Sequence, residues 1–543
     1  MTPNDRVRKL LEAYASPQAS AADLLCDRHP GDAAAFTLIE PDLSAWDLTY
    51  AELRRRSEQV ARALADLGVG PGDAVATLMG KSADLVVTLV GIWRLGAVHV
   101  PLFTAFAPPA IALRLTASAT KVVVVDAAQR AKLDPGADIP AGAAWRVVVA
   151  AEDGAAVQDD DLKLTELLDR TEPGLPAARL GGDALLVQIF TSGTTGAPKA
   201  VPVPVRALAA FQIYLEYGLD VRADDVFWNA ADPGWAYGLY YGILAPLVAG
   251  RRSILLHAGF DTELTCRLLD KHAVTNFAAA PTVYRALRAA ASDAPATLSL
   301  RVCSSAGEPL NPDLVEWSER VLGVPIRDHY GQTELGMAIV NGWQDDVRRQ
   351  LKPGSMGQPM PGWGADVLSV DRDEVAPAGT LGRVVIDLPA SPLMWFREYG
   401  GDPAISAERY SPDGRWYYTG DAGARDADGD FFFSARDDDV IIMAGYRIGP
   451  FEVESVLITH SDVVECAVVG VPDELRGEVI EAYVVLRDEA EGTPELANEL
   501  QQLVKTRYAA HAYPRRVHFV AGLPKTPSSK IQRFLLRRGQ PAG

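Results

Sequence analysis

The sequence predicts an α/β protein: a large N-terminal body of α/β subdomains that ends in a small β subdomain, followed by a small α+β C-terminal domain. Three observations lead there. Short apolar runs at residues 74–79, 122–125, 147–149 and 185–190 alternate with helix-like stretches, the pattern of sheets covered on both faces. From about residue 380 the texture changes to strand-like runs parted by turn residues. The remaining hundred or so residues read as strand, helix, two strands, helix, strand.

A chain of 543 residues exceeds what one hydrophobic core organises, so two or more packed units are expected. With 48% hydrophobic and 23% charged residues its balance is that of a globular protein, and the whole chain is expected to fold. Residues 49–68 show how the helices declare themselves. Thr49 and Glu52 form a capping box, Leu53, Val60, Leu64 and Leu67 share a face, and Gly68 can close the end. Further on, Asp428 and Gly429 predict a turn before the aromatic run at 431–433. Arg436 then leads into Asp437, Asp438 and Asp439, three like charges that belong in solvent and suit an exposed connection. The boundary falls there, giving domains 1–437 and 438–543. In the second, Pro450 and Pro494 stand where first-turn prolines begin helices. Residues 153–161, rich in Ala, Gly and Asp, read as a surface loop.

Composition also excludes some functions. A net charge of −19 gives no general attraction for nucleic acid phosphates or an anionic membrane surface, so an anionic ligand needs a local cluster of donors. Residues 1–24 have no apolar stretch of signal-peptide length, so export is not expected. The strongest apolar run, 85–93, stops at Arg94, far short of the roughly 20 residues that cross a bilayer. Cys26, Cys266, Cys303 and Cys466 lie far apart without a CxxC pair or a nearby His. They read as reduced, buried thiols of a cytoplasmic protein.

The strongest local signal is Thr191, Ser192, Gly193, Thr194, Thr195, Gly196, Ala197, Pro198, Lys199, directly after the apolar run 185–190. Glycines let backbone N–H groups turn toward an anion, hydroxyls add donors and Lys199 adds positive charge, together a polyphosphate cradle. The spacing is not that of a Walker A loop, and composition alone also allows a flexible surface loop.

TSGTTGAPK resembles the phosphate loop of the adenylate-forming superfamily, which contains acyl-CoA synthetases, luciferases and adenylation domains. The resemblance extends over nearly the whole chain and implies its fold, with a C-terminal domain that moves as a lid. Ala306, Gly307, Glu308 and Pro309 resemble the segment that lies against adenine. Asp328, His329, Tyr330, Gly331, Gln332, Thr333 and Glu334 match the next nucleotide motif. There the resemblance implies that Tyr330 stacks on adenine, Thr333 contacts the α-phosphate and Glu334 holds Mg²⁺. One carboxylate suffices for that last task, because phosphate oxygens supply other ligands of a hard cation. Asp421 matches the aspartate that receives the ribose hydroxyls, and Arg436 and Arg447 match arginines facing ribose and phosphate. Lys530, in PKTPSSKI, matches the catalytic lysine, and Asp438 the hinge residue. Carboxylate attack on the α-phosphate brings two anions together, so an ammonium placed at the reacting oxygens stabilises the developing charge.

The segment 444–454 resembles the medium-chain acyl-CoA synthetase branch, in which Ala444, Gly445 and Tyr446 meet the pantetheine arm and Arg476 meets the phosphates of coenzyme A. Trp235, Ala236 and Tyr237, with Ala306 and Gly331, resemble the acyl site. Acetate-specific relatives carry Trp at the place of Gly331, so the floor is expected to be open and the acid longer than acetate. Ala200 and Ser529 depart from the glycines the superfamily often has. The resulting expectation is an AMP-forming acyl-CoA synthetase using ATP, Mg²⁺ and coenzyme A on a short- to medium-chain or aromatic carboxylic acid. The alternative acceptor is an amine or a carrier-protein pantetheine. The oligomeric state, a homodimer included, stays open.

Overall fold

The structure, a computed structural model, describes residues 1–151, 157–191, 198–290, 298–443, 446–473, 476–488, 490–526 and 531–540. The apolar runs form strands as expected. A seven-stranded sheet has the spatial order Leu162–Lys163, Arg146–Ala150, Val122–Asp126, Ala74–Leu78, Val98–Pro101, Leu185–Thr191 and Lys199–Pro204. Its strands run parallel except for the last pair, an antiparallel hairpin in which Thr191 faces Lys199. The helix Tyr50–Asp66 begins where Thr49 accepts a bond from the Glu52 N–H, and Gly68 follows its end with φ +86°. Only that half of the capping box forms, because the Glu52 carboxylate turns toward Arg56. The apolar run 85–93 lies in the helix Ala83–Leu95, buried along with Arg94, which is paired to Asp27. Among the described residues, no helix is long and apolar enough to cross a membrane.

A second sheet has thirteen strands. Its centre is parallel, with Asn276–Ala279, Val302–Ala306 and Ile326–Gln332 side by side. The strands expected as a small β subdomain adjoin it at one end. Ser355–Pro359 pairs with Phe431–Arg436, which pairs with Trp416–Arg425, then Gly382–Asp387 and Ala365–Leu368. Backbone pairing joins these strands to the larger sheet, while Met356, Val367, Val384 and Phe431 share a core with Ile339. The turn at Asp428 and Gly429 forms as predicted, and Lys352 binds its three aspartates Asp426, Asp428 and Asp430.

The C-terminal part is a five-stranded sheet, Tyr446–Ile448, Ile441–Met443, Gly477–Leu486 and Val463–Asp473, with Arg516–Phe519 parallel to Gly477–Leu486. Pro450 and Pro494 open the helices Pro450–Leu457 and Pro494–Arg507. Ile441, Val453, Val468, Val484 and Leu500 share a core of this part's own. Residues 437–439 make a short turn in which Asp439 is paired with Arg537 and Arg533 from the chain end. Much of the surface loop expected at 153–161 lies outside the described residues. Three of the four free cysteines are buried, but Cys266 is exposed, because it falls on the solvent face of Thr262–Lys271, beside the buried Thr265.

Candidate active site

Three strands bring the candidate ribose site together. Asp421, on Trp416–Arg425, is 3% exposed and accepts from the Tyr330 hydroxyl at 2.5 Å, Gln332 Nε2 at 2.7 Å and Arg436 Nη1 at 2.9 Å. Gln332 Nε2 also donates to the Thr419 carbonyl at 2.8 Å. The Asp421 charge beside it raises the pKa of the Arg436 guanidinium, so the arginine stays protonated. Here, then, one carboxylate gathers three donors from positions 89 to 91 and 15 residues away. A ribose diol could replace two of them at a site that already favours donors.

Glu334 stands beside this cluster at 6% exposure. Its Oε1 accepts from the Tyr399 hydroxyl at 2.7 Å, and Arg409 Nε donates to the same phenol oxygen at 3.2 Å. Lys199 Nζ lies 5.1 Å above the Tyr399 ring, a cation–π distance. Lys199, which pairs with Thr191 at the base of the predicted phosphate loop, thus lies against the ring whose hydroxyl holds Glu334. Residues Ser192, Gly193, Thr194, Thr195 and Gly196 themselves lie outside the described residues. The Thr333 carbonyl accepts from Tyr240. Among the described residues no group of three or more His, Cys, Asp or Glu could hold a metal. A cation there would depend on Glu334 and the phosphates it arrived with.

The candidate acyl side is aromatic. Trp235 packs on Phe103 and Phe106 with ring centroids 5.0 and 5.5 Å away. Ala236 and Tyr237 begin a helical turn, and the Tyr237 and Tyr214 hydroxyls are 3.1 Å apart. His329 turns to this side, away from Asp421. Burial lowers its pKa to about 3, so the ring is neutral. Its Nε2–H donates to the Asn341 carbonyl, leaving Nδ1 to accept from Tyr214 at 2.6 Å. Asp328 is held by the His329 N–H, and burial pushes its carboxyl well above the usual range. Trp228 is core, against Phe277.

Two expectations need correction. The floor at Gly331 is not open: a Cβ there would lie 2.1 Å from Gly336 O and 2.7 Å from Met337 Cα. Strand pairing with its own hairpin demands the glycine. Glu308 is also engaged elsewhere, accepting from Thr282 at 2.7 Å and Arg285 at 2.6 Å. Its neighbour Gly307, exposed with φ +96°, and half-buried Pro309 leave that segment's backbone free to face a ligand. Ala306 is buried at the end of its strand.

In the C-terminal part, Lys530, Ala444 and Gly445 lie outside the described residues. Tyr446 is exposed and stacks on His511 at 4.1 Å. Arg447 is exposed, its charge near Asp437. Arg476 is also exposed, its charge near Arg515, and Arg515 and Lys505 lie 3.7 and 4.0 Å from the Tyr513 ring. This aromatic and cationic patch was missed in the sequence. So were Tyr399 and Arg409, which belong to no motif read there.

The chain is similar to known proteins. The AMP-binding enzyme family matches residues 24–394, and the AMP-binding enzyme C-terminal domain matches 452–530. Acetyl-coenzyme A synthetase of Bacillus subtilis (strain 168) is 33% identical over 514 residues, covering 91% of this chain and 86% of its own. Mitochondrial acyl-coenzyme A synthetase ACSM3 of Rattus norvegicus is 33% identical over 497 residues, covering 90% and 84%. The crystal structure of Brucella canis acyl-CoA synthetase is 42% identical, with a TM-score of 0.76 and coverage of 99% and 97%. The anthranilate CoA ligase AuaEII, in complex with anthranoyl-AMP, is 28% identical, with a TM-score of 0.87 and 99% of each chain covered. The chain belongs to the AMP-binding enzyme family, as an AMP-forming acyl-CoA synthetase that uses ATP and coenzyme A.

Proposed function

We propose that this enzyme activates a short- to medium-chain or aromatic monocarboxylic acid as its acyl-adenylate, releasing pyrophosphate, and then transfers the acyl group to the thiol of coenzyme A. The observation that carries the reading is the convergence of Asp421, Tyr330, Gln332 and Arg436 beside Glu334, at the base of the Thr191–Lys199 hairpin. In this reading Asp421 receives the ribose, Tyr330 and the 307–309 segment face adenine, and Lys199 and Thr333 face the phosphates.

Mg²⁺ fits Glu334. The carboxylate is largely buried and Tyr399 occupies one oxygen, while the other has no hydrogen bond among the described residues. When bound with ATP, the ion neutralises phosphate charge. Trp235, Ala236, Tyr237 and the Tyr214–His329 pair line the acyl side. Because the Gly331 floor is closed, length selection is assigned to these aromatics rather than to that glycine. Each buried methylene contributes about 0.8 kcal/mol, so selection along a homologous series is gradual.

Residues 438–543 act as the lid, turning at Asp438 between the two half-reactions and bringing Lys530 for the first and Gly445 for the second. Their separate core and the 437–439 turn support this division. Tyr446, Arg447 and Arg476 then meet coenzyme A or nucleotide phosphates, with Lys505 and Arg515 adding charge. Free cysteines support a cytoplasmic setting.

Pyrophosphate release screened over acetate, butyrate, hexanoate, benzoate and anthranilate, with and without coenzyme A, tests the proposal. Release that is faster with the larger acids, and acyl-CoA as product, is expected. Acetate turned over far better than the rest would overturn the substrate class. An acyl-adenylate that coenzyme A does not consume, but an amine or a carrier-protein pantetheine does, would overturn the acceptor.

A further inference from the structure

We infer that Tyr399 and Arg409 are positioning residues of the adenylation step, Tyr399 fixing the Glu334 carboxylate and Arg409 fixing Tyr399 against the strand that carries Asp421. The inference rests on the reading of Glu334 as the carboxylate that meets Mg-ATP.

The Tyr399 side chain is 2% exposed, and its single hydroxyl is used twice. The O–H donates to Glu334 Oε1 at 2.7 Å, and the oxygen accepts from Arg409 Nε at 3.2 Å. Arg409 Nη1 in turn reaches the carbonyls of Tyr418 at 3.3 Å and Thr419 at 3.2 Å. Thr419 O is the acceptor shared with Gln332, and Asp421 follows two residues later. Arg409 can lie there because residue 420 is glycine: at φ +74°, a Cβ would approach Nη1 to 2.9 Å.

Tyr399 is equally tied to the phosphate-loop hairpin. The Gly400 N–H donates to the Ala200 carbonyl at 2.8 Å, and Lys199 Nζ lies over the ring. One aromatic residue therefore touches the hairpin at 199–200, the carboxylate at 334 and, through Arg409, the strand holding Asp421. A ring placed only for packing would need no hydroxyl at this junction. This hydroxyl satisfies one Glu334 oxygen and so selects which oxygen is left for a ligand.

The test compares equilibrium binding of Mg-ATP with that of metal-free ATP in the full chain, alongside melting temperature and the two half-reactions measured separately. Tyr399→Phe keeps the ring beneath Lys199 and removes only the hydroxyl. It is expected to melt close to the parent and bind metal-free ATP as the parent does. Its preference for Mg-ATP should fall about tenfold to a hundredfold, the usual range for losing a hydrogen bond to a charged group. Pyrophosphate release should fall in kcat, while preformed acyl-adenylate still reacts with coenzyme A at the parental rate. Arg409→Lys keeps the charge but cannot reach the phenol and both carbonyls together, and should shift the same ratio in the same direction. A folded variant of either kind with the parental ratio, or equal damage to both half-reactions, overturns the inference. Glu334→Gln separates the two levels. If it too keeps the parental ratio, the Glu334 reading itself fails; if it loses the ratio while Tyr399→Phe does not, only the positioning role fails.

Discussion

Gly331→Ala isolates what the nucleotide hairpin contributes. An added Cβ would sit 2.1 Å from Gly336 O, 2.7 Å from Gly336 C and 2.7 Å from Met337 Cα, all backbone atoms. Nonbonded heavy atoms rest near 3.5 Å, so the strands must separate by about 1 Å or more. The facing backbone cannot easily yield, because the Met337 N–H donates to the buried Tyr241 hydroxyl at 2.7 Å. Overpacking of this kind typically costs about 1–3 kcal/mol. The displaced residues include Tyr330 and Gln332, both bonded to Asp421, and the following Glu334. A misplacement of about 1 Å can cost roughly 10²-fold in rate. Carboxylate-dependent pyrophosphate release across the acid series is the assay. It should fall by about that factor for every acid alike, with a lower melting temperature. An unchanged rate, or a loss confined to the longer acids, would refute the reasoning, since the second is what an obstructed pocket floor would give.

Asp421→Asn removes the charge facing Arg436 and misdirects an amide N–H₂ toward one of three donors. ATP binding measured by calorimetry should weaken by about tenfold or more, since hydrogen bonds to charged groups are worth about 1.5–3 kcal/mol each. Parental affinity would show that the ribose lies elsewhere. Glu452, on the C-terminal helix Pro450–Leu457, accepts from Ser434 Oγ of the body at 2.6 Å, and its other oxygen is buried without a partner among the described residues. Burial raises its pKa, Glu454 and Tyr508 being the titratable neighbours. A pKa higher docked than undocked means that docking takes up a proton, so this contact strengthens as pH falls and is lost as pH rises through the raised value. Limited proteolysis at the 437–439 turn should become faster with rising pH in the parent and be flat in Glu452→Gln; a slope retained in the variant would contradict this. Lys530→Ala should lose roughly 10² to 10³ in adenylation yet still pass preformed acyl-adenylate to coenzyme A, and a bulky replacement of Gly445 should do the reverse. Equal damage to both steps in both variants would end the division of labour.

Local rules made much of this legible. The 3.6-residue spacing of Leu53, Val60 and Leu64 and the first-turn prolines 450 and 494 found their helices because those signals act within one element. Asp428 and Gly429 found their turn for the same reason. What stayed hidden was long range. Nothing near residues 355–359 announces that they pair with 431–436 and join the β strands to the larger sheet. Motif resemblance named Asp421, Tyr330, Gln332, Arg436 and Glu334, which do converge. Tyr399 and Arg409 sit 65 and 75 residues from Glu334, in no motif, and only the folded chain shows the phenol between them. Gly331 was read as empty space for a substrate, when the space belongs to the facing strand. His329, inside the nucleotide motif, turned the other way because neighbours along a strand point to opposite faces.

The most direct measurement follows oxygen. With the carboxylic acid labelled by oxygen-18 in its carboxyl group, attack on the α-phosphate leaves one labelled atom in AMP once coenzyme A has taken the acyl group. Mass spectrometry of the products should find one labelled oxygen in AMP and the other in the acyl-CoA carbonyl, with unlabelled pyrophosphate formed in equal amount. Label in phosphate or pyrophosphate, or ADP in place of AMP, would contradict the account.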